Sequence, residues 1–186
     1  MKYLALDIGN VCISIDPVAA FAKMGFKGPD PALLTVEVKF ETGYITADEF
    51  CRAVLSTDAA KDKTKEQLGE IFDSILISPV PGMTELIASL PSRGIQPVFL
   101  SDSSTRHLAK TREMFPAAKF VPYGIYSFAT GVMKPHTLMY RAFEARFGKP
   151  FLYTDDRADL ISAAQKWGWE THRFTDAATL EKVLFS

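Results

Sequence analysis

Tyr3-Leu4-Ala5-Leu6-Asp7-Ile8-Gly9-Asn10-Val11 runs from an apolar segment into an acid, with a glycine two residues further on. An apolar run this close to the N-terminus reads as a strand buried on both faces. Asp7 then stands at the strand's C-terminal end, and ligands of open α/β sheets bind outside those ends. A carboxylate there can be a metal ligand, a base or a nucleophile, and it can equally cap a turn. Gly9 lets the backbone turn sharply or approach a ligand closely.

The chain around this stretch has 186 residues, enough for one domain with a substantial core or a core plus an insertion. Hydrophobic residues make up 47% and charged residues 23%, the balance of a globular protein in water. A formal net charge of -1, with no run of basic residues, gives no argument for nucleic acid or an anionic membrane as partners, and neither is expected. No apolar segment approaches the roughly 20 residues of a membrane span. The N-terminus enters the first strand directly, which leaves no room for a signal peptide. Cys12 and Cys51 form no disulfide framework and read as small buried residues of a reduced, cytoplasmic protein.

After Val11 the character becomes helical. Asp16-Pro17 and Asp30-Pro31 each read as an N-cap followed by proline at the first helical position. Phe40-Glu41-Thr42-Gly43-Tyr44-Ile45 is a turn closed by glycine. Thr46 with Glu49, and Thr64 with Gln67, fit capping boxes. Residues 14–79 are therefore expected to form a helical unit without strands. Its large apolar groups, Phe21, Met24, Phe26, Phe40 and Tyr44, are expected mostly in its own core.

From Pro79 the pattern alternates. Helices are expected over 82–93, 105–114, 136–147, 157–167 and from about Asp176. Strands are expected over 95–100, 119–121, 151–154 and 170–174, Pro97 marking the beginning of the first of them. Such a βαβα series specifies a parallel sheet with helices on both faces. Asp7, Ser101 and Asp155-Asp156 all end strands and so project from one edge of that sheet. The helical segment leaves the chain directly after Asp7 and emerges beside that edge, the arrangement of a lid over a site.

These residues also carry a family resemblance. Asp7-Ile8-Gly9-Asn10-Val11, Leu100-Ser101-Asp102, Lys134-Pro135 and Thr154-Asp155-Asp156 resemble, in order, the four motifs of the haloacid dehalogenase-like (HAD) hydrolase superfamily. The chain is most similar to its small-molecule phosphatases with a helical cap inserted after the first motif, a subgroup that includes bacterial glucose-1-phosphate phosphatases. The resemblance spans essentially the whole chain and includes the cap stretch Phe40 to Thr46 with Glu49-Phe50. It implies a Rossmann-like core with a central parallel sheet flanked by helices (residues 1–13 and 80–186), and a small α-helical cap (residues 14–79) inserted after the first strand.

The resemblance further implies a Mg²⁺-dependent phosphatase acting on a small phosphorylated metabolite, such as a sugar phosphate, with no nucleic acid and no membrane involved. Asp7 is the implied nucleophile, forming an aspartyl-phosphate. Asp7, the carbonyl of Gly9, and Asp155 or Asp156 are the implied Mg²⁺ ligands; Asp156 matches the commoner position, and Asp155 binds through water or holds a ligand in place. Ser101 donates to a phosphate oxygen and Lys134 neutralises charge on the phosphoryl group and on Asp7. Asp102 and Ser103 face the cap as substrate contacts; Asp102 replaces the usual asparagine, and its charge disfavours a second phosphate.

One departure matters more. Most phosphatases of the superfamily carry a second aspartate, their proton donor and acceptor, two residues after the nucleophile, where this chain has Gly9. Asn10 cannot substitute in that role. Two further readings follow: a metal-independent dehalogenase-type hydrolase using the same aspartate, and a non-catalytic binding relative. Relatives doing dehalogenation lack the paired acids of the fourth motif, so Asp155-Asp156 argue against the first. Gly9, Asp102 and Leu160 (where the family often has an acid or amide) support the second. His107, His136 and His172 lack metal-ligand spacing and are expected at surface or loop positions.

Overall fold

A computed structural model describes residues 1–28 and 30–185. The elements are β1 (Lys2–Leu6), β2 (Ile13–Ile15), α1 (Pro17–Met24), α2 (Pro31–Glu41), α3 (Ala47–Leu55), α4 (Lys65–Asp73) and β3 (Leu76–Pro79). Then follow α5 (Met83–Ser89), β4 (Ile95–Ser101), α6 (Thr105–Met114), β5 (Gly124–Tyr126), α7 (Ser127–Thr130), α8 (Thr137–Phe147), β6 (Leu152–Asp155), α9 (Ala158–Trp167), β7 (Thr171–Arg173) and α10 (Ala177–Phe185). The central sheet has the order β5-β4-β1-β6-β7, and every pairing in it is parallel.

Successive side chains of a strand face opposite sides, and the apolar residues divide accordingly. Leu4, Leu6 and Phe99 pack under α5 and α10 with Ile87 and Leu180. Ala5, Val98, Leu100 and Tyr153 face the other way, against Tyr140 and Phe143 of α8 and Ile161 and Ala164 of α9. Both faces are covered, which is why β1 reads as a continuous apolar run. With β1 in the middle, its two neighbours lead away in opposite directions, and the crevice of such a sheet opens beyond its C-terminal end.

Pro97 lies inside β4, opposite Leu4, rather than at its beginning. The position tolerates it because N–H groups alternate in direction along a strand. The Phe99 N–H donates to Tyr123 on the β5 side, so the missing N–H of Pro97 faces that side as well. β5 pairs only from Phe99 onward, so no ladder bond is lost there. The Gln96 side chain closes the gap by donating to the carbonyls of Pro97 and Phe120, at 3.0 and 3.2 Å.

Two strand expectations are corrected. Residues 119–121 are not a strand: Pro116–Phe120 form a short 3₁₀ turn, started by proline, and the edge strand is β5 instead. The helical stretch 14–79 is not free of strands, since β2 and β3 pair antiparallel where it leaves and re-enters the sheet region. Between them α1 to α4 enclose their own apolar cluster. Phe50 stacks on Phe40 and meets Phe72, each with ring centroids 4.9 Å apart, and Met24, Leu33 and Leu68 fill around them. Of the large apolar groups expected there, Met24, Phe26 and Phe40 are buried and Phe21 packs at the margin, while Tyr44 is 72% exposed.

Both capping boxes form. The Thr46 N–H donates to Glu49 Oε2 (2.7 Å) while the Glu49 N–H donates to Thr46 Oγ1 (3.2 Å), and Thr64 and Gln67 repeat the exchange. Asp16 and Asp30 accept the first N–H groups of α1 and α2. No helix among the described residues is long and apolar enough to cross a membrane.

Candidate active site

The C-terminal ends of β1, β4 and β6 bring Asp7, Ser101 and Asp155 to one edge, and the loop before α8 adds Lys134. Lys134 is the centre of the arrangement. Its Nζ donates to Asp7 Oδ1 at 2.8 Å and to Asp155 Oδ2 at 2.7 Å, with only 2% of its side chain exposed. Burial pulls the Lys134 ammonium down, and Asp7 leads a set of acidic neighbours that overcomes this and holds it well above the usual lysine range. Burial pushes the Asp7 carboxyl up, against the opposing pull of Lys134.

Asp7, Asp155 and Asp156 each offer an oxygen within 4.8 Å of the others, so the three could hold a metal ion. All are hard oxygen donors, the set that Mg²⁺ prefers. They are not equivalent. Both oxygens of Asp155 are engaged: Oδ2 accepts from Lys134 and from the Tyr153 hydroxyl, and Oδ1 accepts from the Arg157 N–H at 3.0 Å. Asp156 is half-buried, and its side chain accepts from the Asn10 amide, at 3.2 Å. Asp156 is thus the freer ligand, while Asp155 holds Lys134.

Asn10, which the sequence excludes as a proton carrier, has another place in the site. It adopts φ 52°, a left-handed conformation that asparagine tolerates better than most residues. In that pose its Oδ1 accepts from the Ile15 N–H (3.2 Å) while its Nδ2 orients Asp156. Its amide therefore fixes the direction of an acid instead of moving a proton.

Ser101, Asp102 and Ser103 all line the same cavity, together with Asp7, Gly9, Lys134 and Asp156. Ser101 and Ser103 are buried. Asp102 accepts the Lys134 N–H at 2.8 Å and so holds the lysine's backbone while presenting its charge to the cavity. Arg157 does not pair with Asp102; it pairs with Asp159 on the surface, its Nη2 2.6 Å from Oδ2.

The opposite wall of the cavity, about 250 Å³ in volume, comes from the helical segment and contributes Glu37 and Glu41 of α2. Burial pushes Glu37 up to about 7 and Glu41 up to about 8, with Glu37 and Asp102 adding to the rise at Glu41. His107 stands beside them and corrects the expectation of a surface role. It is buried, stacks on Phe72 at 4.1 Å, and its Nε2 is 3.0 Å from the Phe72 carbonyl. Burial holds it below the usual histidine range. His136, by contrast, is exposed and caps α8. Glu37 and Glu41 share a face of α2 by their spacing of four, but only the packing of α4 on α6 and of α2 on α7 brings that face to His107 and the sheet edge.

A scan against models of protein families and a search of curated proteins found no match. Solved structures do match. A HAD family enzyme from Bacteroides thetaiotaomicron aligns with TM-score 0.86 at 19% identity, over 100% of this chain and 99% of that one. Its wild-type complex with magnesium and inorganic phosphate aligns with TM-score 0.83 at 21% identity, over 97% and 98% of the two chains. An L-2-haloacid dehalogenase from Xanthobacter autotrophicus, with chloropropionic acid covalently bound, aligns with TM-score 0.66 at 15% identity, over 100% and 84%. The chain has the α/β fold of the HAD-like hydrolases.

Proposed function

We propose that this protein is a Mg²⁺-dependent phosphatase that hydrolyses a small phosphorylated metabolite, a sugar phosphate or a compound of similar size, through an aspartyl-phosphate on Asp7. One observation carries the reading: three carboxylates and a buried lysine converge at the C-terminal edge of a parallel sheet, at the mouth of a cavity. The fold shared with a HAD enzyme crystallised with magnesium and phosphate supports it. The reading takes residues 1–13 and 80–186 as the catalytic core and 14–79 as a cap over it. It takes the cytoplasm as the compartment, in keeping with the two free, buried cysteines.

Asp7, the Gly9 carbonyl and Asp156 would hold the cation, with Asp155 behind them or joined through water. When bound, the cation neutralises the repulsion between a carboxylate and a phosphate dianion. Asp7 attacks phosphorus with the oxygen not engaged by Lys134. Lys134 carries positive charge to the phosphoryl oxygens and fixes Asp7's orientation. Ser101 donates to a phosphate oxygen, and Asp102 and Ser103 contact the rest of the substrate. Water then opens the aspartyl-phosphate. Displacement of halide from carbon meets no such charge repulsion, so the converging acids favour phosphate over the dehalogenase alternative.

The test is phosphate release from a panel of phosphorylated metabolites, with and without Mg²⁺, by wild type and Asp7→Asn. Metal-dependent release that disappears in the variant is expected. No release from any compound, or release that survives the substitution, would make a non-catalytic binding role the better reading.

A further inference from the structure

A phosphate ester needs a proton for its leaving oxygen, and the water that follows must lose one. The loop after β1 supplies neither, having Gly9 and Asn10 where an acid could stand. The other titratable groups of the sheet edge are committed: Lys134 to Asp7 and Asp155, Asp102 to the Lys134 N–H, Asp156 to Asn10. Across the cavity stands Glu41, whose carboxyl has no hydrogen-bond partner among the described residues and is 16% exposed.

We propose that Glu41 is the general acid and base of this site, reaching the reacting oxygen from the helical segment. The inference rests on the phosphatase reading above. In the first step an Asp7 oxygen bonds to phosphorus, the bond from phosphorus to the ester oxygen breaks, and that oxygen leaves with the electron pair and the Glu41 proton. In the second, water bonds to phosphorus and gives a proton to the Glu41 carboxylate. The bond from phosphorus to Asp7 breaks, returning Asp7 as carboxylate, Glu41 as acid and inorganic phosphate.

Three features of the fold suit Glu41 to this work. First, its backbone is fixed to the sheet side. The Ser127 hydroxyl donates to the Glu41 carbonyl at 2.6 Å and accepts the Ser103 N–H at 2.8 Å. Two residues on, Gly43 has φ +74° and lies so close to Phe128 that a Cβ would stand 2.3 Å from its carbonyl oxygen. Second, the ring beside it does not favour the charged form. The His107 Nε2 faces a carbonyl, which only accepts, so the neutral ring carries its hydrogen there and leaves Nδ1 without one, 3.9 Å from Glu41 Oε1. At that separation the ring gives a Glu41 carboxylate no hydrogen bond. Third, Glu41 is the last residue of α2, where the helix dipole disfavours a carboxylate. Burial, with Glu37 on the same helix and Asp102 from the β4–α6 loop, pushes it up to about 8, so it holds a proton at neutral pH.

The experiment compares wild type and Glu41→Gln on two probes, glycerol 2-phosphate and 2,4-dinitrophenyl phosphate. The first leaving oxygen needs a proton and the second does not. Expected is a fall in kcat of about 10²-fold or more on glycerol 2-phosphate with KM little changed. On the aryl phosphate, dinitrophenol should appear as a burst approaching one equivalent per protein, because the aspartyl-phosphate forms but lacks its base. Adding Gly9→Asp to Glu41→Gln places an acid on the other side of the reacting oxygen. A Cβ at that position meets the Ile15 side chain, its Cδ1 at 3.1 Å, and regained turnover would support the proposal. Should Glu41→Gln not fold, Glu41→Asp keeps the acid and shortens its reach, and the same fall on the alkyl ester with a burst on the aryl phosphate is expected. Equal loss on both probes without a burst, or no loss, overturns the proposal. If wild type is active and Asp7→Asn inactive while Glu41→Gln matches wild type, only the role of Glu41 fails. No metal-dependent release by wild type overturns the phosphatase reading and this inference with it.

Discussion

Lys134→Met deletes the ammonium at the centre of the site and keeps an unbranched apolar stem in its place. The side chains it leaves are Asp155, fully buried, and Asp7, 11% exposed. Each loses a charge-assisted hydrogen bond, at 2.7 and 2.8 Å, and such bonds contribute about 1.5–3 kcal/mol each. Part of this is offset because the ammonium no longer has to be buried, so the net cost is about 3–5 kcal/mol. For a chain of this size that lowers Tm by roughly 10 °C while leaving the fold intact. The sign of the pH dependence follows from the carboxylates. Asp7 already stands above its ordinary value through burial, and without the lysine it rises further. A carboxyl whose folded value is raised contributes stability below its unfolded value and loses it as pH rises through the folded one. The variant's deficit should therefore be large at about pH 7.5 and shrink toward about pH 5. Urea unfolding followed by tryptophan fluorescence reports it, since Trp169 is buried against Tyr140 and Phe143. A deficit under about 1 kcal/mol at the higher pH, or one that does not change between the two, would refute the buried-pair reasoning.

The same linkage applies to Glu41 with its own window. Wild-type stability should fall as pH rises from about 4.5 toward about 8, and Glu41→Gln should lack a component of that fall on the order of a few kcal/mol; parallel stability profiles for the two proteins would count against it. Arg106→Ala removes a two-pronged pairing with Asp73, at 2.6 and 2.7 Å, that ties α6 to α4. Because Arg106 is 40% exposed, global stability should change by under about 1 kcal/mol, whereas amide exchange in α4 should accelerate and KM should rise several-fold. Unchanged exchange in α4 would show that the pairing does not hold the helical segment down.

Much of this arrangement could be read from residues alone, and the reasons are local. β1, β4 and β6 are buried on both faces, so each appears as an apolar run that stops at a polar residue, and the stops are Asp7, Ser101 and Asp155. The helix starts announce themselves through caps whose partners lie only two or three residues away. Legibility fails where structure depends on distant partners. β2 and β3 are short, and Ser78-Pro79 carries no strand signal; they exist because the ribbon they form is clasped by the Asp16 N–H on the Ile75 carbonyl and the Val80 N–H on the Cys12 carbonyl. Phe120-Val121 has the composition of a strand, yet Pro116 begins a tight turn and the pairing edge passes to Gly124–Tyr126. Asp7, Gly9, Ser101, Asp102, Ser103, Lys134 and Asp156 share one cavity as their positions along the chain suggested, with Asp155 packed directly behind. Glu41 reads as part of a glycine-closed turn, Glu37 carries no signal of its own, and His107 reads as a surface group, because nothing in their own neighbourhood states what will dock on them.

The ribbon of β2 and β3 has a consequence for how such a chain can change over time. Strands paired antiparallel stand about 5 Å apart, so everything between Ile15 and Leu76 departs from and returns to nearly one point on the sheet domain. Closing a longer or shorter excursion between two such fixed feet alters the entropy of the chain by well under about 1 kcal/mol for each doubling of its length. The stretch that lines the far wall of the cavity is thereby anchored at one place on the chain's sheet. Its length can change at little entropic cost, provided that the contacts it makes with the sheet side, such as Phe72 on His107 and Asp73 with Arg106, are kept.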